Sequence, residues 1–545
     1  MATAGKILRS ITGLRTGGRR AHASWPPAVI WIPAVVVAAG VLLPLAYLLI
    51  RTLGAGGEMW DLLLRTRTLE VLGRTLALLV AVTGTSVAIS LPLAWLTTRT
   101  DLPFRRVWAV VTVLPLVIPS YVAGLVVVAA LGPRGTLQQL LAPLGVERLP
   151  EIYGFPGATL TLALVSYPYL LLPLRAALQG ADPSLEESAR SLGQGPFRTF
   201  LRVTLPQLRP AMAAGCLLVA LYALRDFGGV SLLRYETFTW AIYLQYQTSF
   251  DRVAAAALSL VLVVVAVGVL IIESRTRGNG TYHRSTVGTS RPPTLVKLGR
   301  WRWSAVAFCA LVILFALMIP VSVLGYWCAR ALSSGQPLQA IWGPMANSAY
   351  VSGLATIATV AAAVPVAVLA GRYAGRATGL LERATYVGFA LPGIVIAVAL
   401  VFFAANYAVA IYQTLALLLF AYGILFLPQA VGAVKSSLLQ VNPHLEEAAR
   451  GLGRTPLGVL VSITVPLVRP GILAGGALVF LTTMKELPAT LLLSPIGFQT
   501  LATSIWTATS EASFARAAVP ALLLILVSSA PMAFLLTRDK KGNHE

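Results

Sequence analysis

Residues 182–210 read DPSLEESARSLGQGPFRTFLRVTLPQLRP, and residues 442–470 read NPHLEEAARGLGRTPLGVLVSITVPLVRP. The two stretches align at an offset of 260 residues without a gap. Matched positions include Pro183/Pro443, Glu187/Glu447, Arg190/Arg450, Gly193/Gly453, Pro206/Pro466 and Arg209/Arg469. Self-similarity at a fixed offset marks a duplicated structural unit. Weaker similarity extends outward, with Leu91-Pro92 against Val364-Pro365 and Ser249-Phe250 against Ser513-Phe514. The chain is thus two like halves, and each carries one copy of this polar loop.

The rest of the chain is strongly apolar. Of 545 residues, 57% are hydrophobic and 11% charged, against about 25% charged in a soluble protein. Mean hydropathy is +0.78, which excludes a water-soluble enzyme. Yet Lys and Arg number 42 against 20 Asp and Glu, a formal charge of +22. Such a chain binds nucleic acid only if its charge clusters on a polar domain. Otherwise it is a polytopic membrane protein with basic loops on one face.

A helix needs about 20 mostly apolar residues to cross a bilayer. Twelve such spans are expected, near 28–50, 71–97, 107–131, 157–178, 210–224 and 253–272, then 305–328, 348–370, 385–404, 410–434, 471–484 and 517–537. Interior prolines such as Pro92, Pro115, Pro365 and Pro392 are compatible with membrane helices when neighbours re-satisfy the freed carbonyls. Alternating these spans from a cytoplasmic N-terminus puts 30 of the 42 basic residues in seven cytoplasmic segments. That bias obeys the positive-inside rule and places both termini in the cytoplasm. No single basic patch exists, so no nucleic-acid partner is expected.

The resulting layout is a cytoplasmic N-tail (1–27), a first repeat (28–272), a cytoplasmic linker (273–303) rich in Arg, Gly, Ser and Thr, a second repeat (304–537) and a C-tail (538–545). Each repeat holds six spans in the same orientation, a parallel pair about an axis along the membrane normal. The apolar run from Ala28 to Ile50 is too long for a signal-peptide core and lacks a small-residue cleavage site, so an uncleaved first helix is expected. Cys216, Cys309 and Cys328 all lie in apolar stretches. Cys309 and Cys328 are about 28 Å apart along one predicted helix, too far to pair within it.

Within each polar loop the pattern predicts a helix, a turn and a second helix. Asp182 or Asn442 caps the first helix, with Pro183 or Pro443 next. Glu186, Glu187, Glu446 and Glu447 then sit near its positive end. Gly193 or Gly453 makes the turn, and Pro206 or Pro466 a break before the next span. The plain alternative is an amphipathic surface helix. Two near-identical copies at symmetric positions favour docking sites for a two-fold partner.

These loops resemble the EAA loop of permease subunits of binding-protein-dependent ABC importers. The family pattern is Glu-Ala-Ala, three residues, Gly, nine residues, then Ile-x-Leu-Pro. Here it reads Glu187-Ser188-Ala189, Gly193 and Val203-Thr204-Leu205-Pro206, and again Glu447-Ala448-Ala449, Gly453 and Ile463-Thr464-Val465-Pro466. The departures are Ser188, Val203 and Val465. The resemblance implies an all-α membrane protein with the type I importer permease fold in a bacterial cytoplasmic membrane. It implies that each loop is a coupling helix seated on a cytoplasmic ATPase, with Glu186, Glu187, Ala189, Arg190 and Gly193, and Glu446, Glu447, Ala449, Arg450 and Gly453, as coupling residues. Two fused halves imply two copies of that ATPase, and an extracytoplasmic binding protein that delivers substrate.

The chain itself contains no G-x-x-x-x-G-K-[ST]; its one Gly-Lys pair is Gly5-Lys6, followed by Ile7. It cannot cradle nucleotide phosphates in that way, so ATP and Mg are expected on the partner, no cofactor on this chain, and no enzymatic activity of its own. Residues 224–247 and 484–506 are similar to the fused permeases of ferric-iron importers, which implies Fe(III) as substrate. Related fused permeases for thiamine, phosphonates or polyamines are the alternatives within the family.

Fe(III) is a hard cation suited to carboxylate and phenolate oxygens. His22, His283, His444 and His544 all fall in expected cytoplasmic segments, so no imidazole site lies within the membrane and no metal ligand set is certain. Asp226 and Glu486 stand at matched positions at the outer ends of spans five and eleven, each after a base, Arg225 or Lys485. Ionisable residues at membrane depth point to function, so both are candidates for the translocation path. The alternative is that each acid pairs with a nearby base and fixes a helix end. Tyr222, Tyr235, Tyr243 and Tyr246 are candidate phenolates, although aromatic residues at a membrane boundary are more often interfacial anchors.

A different class, the major-facilitator secondary transporters, also has twelve spans in two halves. Residues 371–376, GRYAGR, are faintly similar to its short basic loop but lack the acidic residue, and the duplicated polar loops have no role there. A membrane-embedded enzyme would need a clustered nucleophile, base or metal site, and the spans contain none.

Overall fold

A computed structural model of the chain describes residues 27–54, 61, 64–133, 135–145, 149–181, 183–249, 252–276, 295–334, 339–373 and 375–541. The N-tail to residue 26, residues 277–294 of the linker, residues 542–545 and Asp182 lie outside the described residues. Among those described, the only β-contact is an isolated bridge, Thr100 to Val296. Nine helices are long and apolar enough to cross a membrane, and eleven if each of two bent pairs is one span; Phe514–Ser529 adds a shorter apolar helix. This is consistent with twelve crossings.

Two expected spans are not single helices. The run 107–131 is divided into Arg105–Val111, a short turn Leu114–Val117 and Ser120–Leu131. The run 385–404 is divided between Arg376–Ala390 and Gly393–Tyr407, which meet at 99°. A proline ring disfavours helical geometry at the residue before it. Ile118 before Pro119 and Leu391 before Pro392 are accordingly extended, with ψ of 117° and 128°. Pro115 and Pro392 therefore sit at breaks, whereas Pro92 and Pro365 are carried inside Thr66–Arg99 and Gln339–Arg372 as expected.

The fifth span also differs from expectation. Pro206 does not break the chain, because it falls in the first turn of Leu205–Arg225, directly after a π-helical segment, Phe200–Thr204. A π-turn shifts the hydrogen-bond register by one, which accommodates the missing proline N–H. The second copy has the same segment at the same offset, Leu460–Thr464. There the chain does bend, by 73°, between Pro456–Leu467 and Arg469–Met484.

Matched helices pack in matched ways. Thr66–Arg99 lies on Phe155–Gly180, and Gln339–Arg372 on Leu415–Gln440; those partners pack in turn on Leu205–Arg225 and Arg469–Met484. Gly215 and Gly475 sit at these crossings. A Cβ on Gly215 would meet Leu170 Cδ1 at 2.4 Å, and one on Gly475 would meet Ala430 Cα at 3.3 Å, so a small residue lets the backbones approach. The first helix of each repeat packs across on the other half. Ala28–Leu53 lies against Gln339–Arg372, Arg376–Ala390 and Gly393–Tyr407, while Ile319–Ser333 touches Ser120–Leu131. The halves are interlocked, and the repeat boundaries in sequence are not packing boundaries.

Candidate functional site

The two polar loops fold alike. The helices Pro183–Ser191 and His444–Gly451 both end in a Schellman turn. Gln194 N–H donates to Ala189 O and Gly193 N–H to Arg190 O, and Arg454 and Gly453 repeat these bonds to Ala449 and Arg450. Gly193 and Gly453 take φ of +82° and +83°, a left-handed conformation that costs other residues strain. At the start of the second loop, Asn442 accepts the His444 N–H at 3.1 Å.

Consecutive helical residues point about 100° apart, so the paired glutamates face different ways. Glu186 and Glu446 turn inward. Glu446 Oε1 accepts from Arg372 Nε at 3.1 Å and from the Thr464 hydroxyl at 3.2 Å. In the first copy Thr204 Oγ1 donates to Glu186 at 3.0 Å, and Arg99 lies 3.6 Å away. Arg99 and Arg372 end the matched helices Thr66–Arg99 and Gln339–Arg372, so each glutamate fastens its loop to a membrane helix. Ala189 and Ala449 are buried beneath the loop helices.

Glu187 and Glu447 point outward, where Glu447 meets His444 Nδ1 at 2.9 Å. Arg450 is also exposed and reaches the Tyr373 hydroxyl, while Arg190 is half-buried. Matched leucines share the outer surface: Leu192 and Leu452 are 81% and 87% exposed, and Leu185 and Leu445 about half. Apolar side chains presented twice on a polar loop suit a protein partner. Sequence reasoning missed these leucines, although the repeat alignment marks them.

Asp226 and Glu486 line one cavity of about 220 Å³ between the halves, with Arg225, Lys485, Tyr121, Tyr169, Tyr222, Gln429 and Thr482 in its wall. They close the matched helices Leu205–Arg225 and Arg469–Met484, so both helices run toward the same place. Each helix spans the distance from its polar loop to the cavity, about 30 Å in the first half and about 24 Å in the second.

Each acid caps the short helix that follows it. Asp226 Oδ1 accepts the Val230 N–H at 3.0 Å and Glu486 Oε1 the Ala489 N–H at 3.3 Å. Charge contacts cross between the halves instead of joining sequence neighbours. Glu486 interacts electrostatically with Arg225, and Lys485 Nζ donates to Leu116 O at 3.1 Å. The expected helix-end role is thus present, on residues that also face the cavity.

The two copies fill the site differently. Ser120 hydrogen-bonds Asp226. At the matched position stands Gly393, where a Cβ would lie 2.4 Å from Glu486 Oε1. The longer acid faces the residue without a side chain. Tyr169 and Tyr222, with ring centroids 5.3 Å apart, are matched by Gln429 and Thr482, whose hydroxyl donates to Gln429 Oε1 at 3.3 Å. The first half therefore supplies phenols and the second an amide and a hydroxyl.

Of the tyrosines expected near the path, Tyr222 lines the cavity. Tyr235 does not, and its hydroxyl donates to Arg74 O at 3.0 Å. Tyr243 stacks on Trp240 and meets Phe227 and Trp506 edge-on, and Tyr246 packs at a tilt against Phe402. Tyr121 and Tyr169 take their places; the repeat offset, which sets Tyr169 against Gln429, was the available signal. Among the described residues neither Cys nor His lines the cavity, the three cysteines are unpaired, and no group of three or more His, Cys, Asp or Glu is placed to hold a metal.

Two interlocked helical repeats, a cavity between them and a polar loop repeated in each are the architecture of a membrane permease. The chain belongs to the family of binding-protein-dependent transport system inner membrane components, which matches residues 86–277 and 363–538. It is 34% identical over 517 residues to the Fe(3+)-transport system permease protein FbpB 2 of Haemophilus influenzae, covering 94% of this chain and 98% of that one. The ferric transport system permease protein FbpB of Actinobacillus pleuropneumoniae is 24% identical over 82% of this chain and 68% of its own. The molybdenum transport system permease protein ModB of Escherichia coli is 34% identical over 32% of this chain and 81% of its own, the length of a single repeat unit.

Proposed function

We propose that the chain is the membrane-spanning part of an ATP-driven ferric-iron importer. An extracytoplasmic binding protein delivers Fe(III), and two copies of a cytoplasmic ATPase seat on the two coupling loops. The observation that carries this reading is the end-to-end similarity to an Fe(3+)-transport permease. The cavity chemistry agrees with it, since carboxylate, phenol, amide and hydroxyl oxygens suit a hard cation better than a soft one.

In this mechanism ATP binding draws the ATPases together and the coupling helices follow. Arg99–Glu186 and Arg372–Glu446 carry that displacement into the helices they end, and the halves move apart at the cavity. Asp226 and Glu486 offer oxygen ligands to the ion in transit, while Arg225 and Lys485 offset their charge or hold an accompanying anion. The coupling-loop face is cytoplasmic in this reading, in keeping with the distribution of basic residues.

The test is uptake of radioactive Fe(III) by proteoliposomes that hold this chain, its ATPase and its binding protein. Asp226→Asn with Glu486→Gln is expected to abolish uptake with the complex still assembled. Unchanged uptake removes both residues from the path, and uptake driven by an ion gradient without ATP would overturn the importer assignment.

A further inference from the structure

The internal repeat provides a control for one site at the coupling-loop end of the first half. In the second half Lys435, on Leu415–Gln440, forms an ion pair with Glu382 of Arg376–Ala390. The alignment that matches Pro119 with Pro392 and Arg99 with Arg372 sets Ala109 opposite Glu382. The loop alignment sets Arg175 opposite Lys435. The first half therefore keeps the cation and lacks the acid.

Arg175 Nη1 instead donates to the backbone carbonyl of Ala109 itself, at 2.5 Å, and its buried Nε has no hydrogen-bond partner. Arg105 and Arg106, where the second half has Thr378 and Gly379, add two more cations. With Thr97, Thr98, Gln179 and Leu295 these three arginines line a cleft of about 400 Å³. Among the described residues none of the three forms an ion pair with a carboxylate.

The local chain does not supply the missing charge. Asp101, the closest acid in sequence to Arg105, accepts the Leu298 N–H at 2.8 Å. The linker beyond Glu273 carries no acid, because the sequence has none between Glu273 and Glu382. The hydroxyls of Thr97 and Thr98 donate to carbonyls of their own helix, so contacts to an anion fall to the guanidinium groups.

The cleft also lies near the ends of the helices Thr66–Arg99 and Phe155–Gly180. Thr97 and Thr98 directly precede Arg99, the residue that holds the coupling loop, and Arg175 stands about 8 Å along the axis from the end of Phe155–Gly180. Exposed Phe104, Trp301 and Trp303 stand in the segments bordering it, as aromatic residues do at a membrane interface.

We propose that the cleft lined by Thr97, Thr98, Arg105, Arg106, Arg175 and Gln179 binds the phosphate of an anionic phospholipid in the leaflet on the coupling-loop side. Planar guanidinium groups match phosphate oxygens in pairs, and basic pockets between membrane helices on the cytoplasmic side are suited to such headgroups. That this leaflet is the cytoplasmic one rests on the proposed function; the anion site does not.

Native mass spectrometry of the delipidated full chain tests the assignment, with phosphatidylglycerol, phosphatidylcholine and inorganic phosphate added in separate arms. Phosphatidylglycerol is expected to bind and phosphatidylcholine not to, with affinity falling about fivefold for each arginine changed to glutamine. Ala109→Glu, which installs the acid the second half already has, is expected to abolish lipid retention while all three arginines remain. Equal retention by wild type, A109E and R105Q/R106Q overturns the proposal. Inorganic phosphate binding as tightly as phosphatidylglycerol overturns the lipid assignment in favour of a soluble anion. If A109E fails to fold, the arginine variants decide alone. None of these readouts depends on iron transport.

Discussion

Arg372 and Glu446 form a closed ion pair in which the side chains are 9% and 6% exposed and Nε stands 3.1 Å from Oε1. The same arginine donates to Val441 O at 3.0 Å, so it grips the loop at two points. Its counterpart is looser, with Arg99 and Glu186 3.6 Å apart. The two polar loops are thus alike in shape and unequal in attachment.

Removing one partner of a buried ion pair leaves the other charge uncompensated, at a cost of about 3 kcal/mol. Glu446→Gln is therefore expected to lower the thermal stability of the chain and to impair uptake more than Glu186→Gln does. A double-mutant cycle on Arg372 and Glu446 should give a larger coupling energy than one on Arg99 and Glu186. Equal coupling energies would show that the difference in geometry carries no energetic weight.

The outward glutamates predict a different failure. Glu187→Lys with Glu447→Lys leaves the inner ion pairs intact, so the chain should fold and insert normally yet no longer co-purify with its ATPase. Leu192→Asp with Leu452→Asp should do the same by removing the exposed apolar contacts. Retention of the ATPase by both double variants would assign the docking surface elsewhere.

The duplicated loop, most of the apolar helices and the paired acids were legible because each is a local pattern compared with its own copy. The breaks before Pro119 and Pro392 were not, since the residues on both sides are apolar and hydropathy carries no angle. Tyr235 was expected beside Asp226 because it is near in sequence. The short helix Gly228–Leu232 and a left-handed Arg234, at φ +53°, turn the chain away and send its hydroxyl to Arg74. Tyr121 and Tyr169 lie in apolar runs and reach the cavity from other helices. The exchange of first helices between halves has no local signature at all.

The turn glycines give a prediction about rigidity. A side chain at φ near +83° costs about 1 kcal/mol, and Asn tolerates this region better than Ala. Gly453→Ala should therefore speed amide hydrogen exchange across His444–Gly451 and weaken ATPase binding, while Gly453→Asn should keep both near wild type. Equal effects of Ala and Asn would mean that space, not backbone conformation, governs this position, although a Cβ there meets nothing within 4 Å.

The size exchange at the cavity predicts a rescue. In the first half Ser120 faces the shorter Asp226, and in the second Gly393 faces the longer Glu486, whose Oε1 lies 2.4 Å from where a Cβ on Gly393 would be. Gly393→Ser alone must push the carboxylate away from the Ala489 N–H it accepts, so uptake should fall while the complex still assembles. Glu486→Asp withdraws the carboxylate by one carbon and recreates the arrangement of the first half. The double variant G393S/E486D should then recover most of the uptake that G393S loses. Ser120→Gly with Asp226→Glu, the reverse exchange, should be tolerated for the same reason. Uptake that stays low in G393S/E486D would show that the two halves of the cavity are not interchangeable, and that the glycine serves the path itself more than the fit of its neighbour.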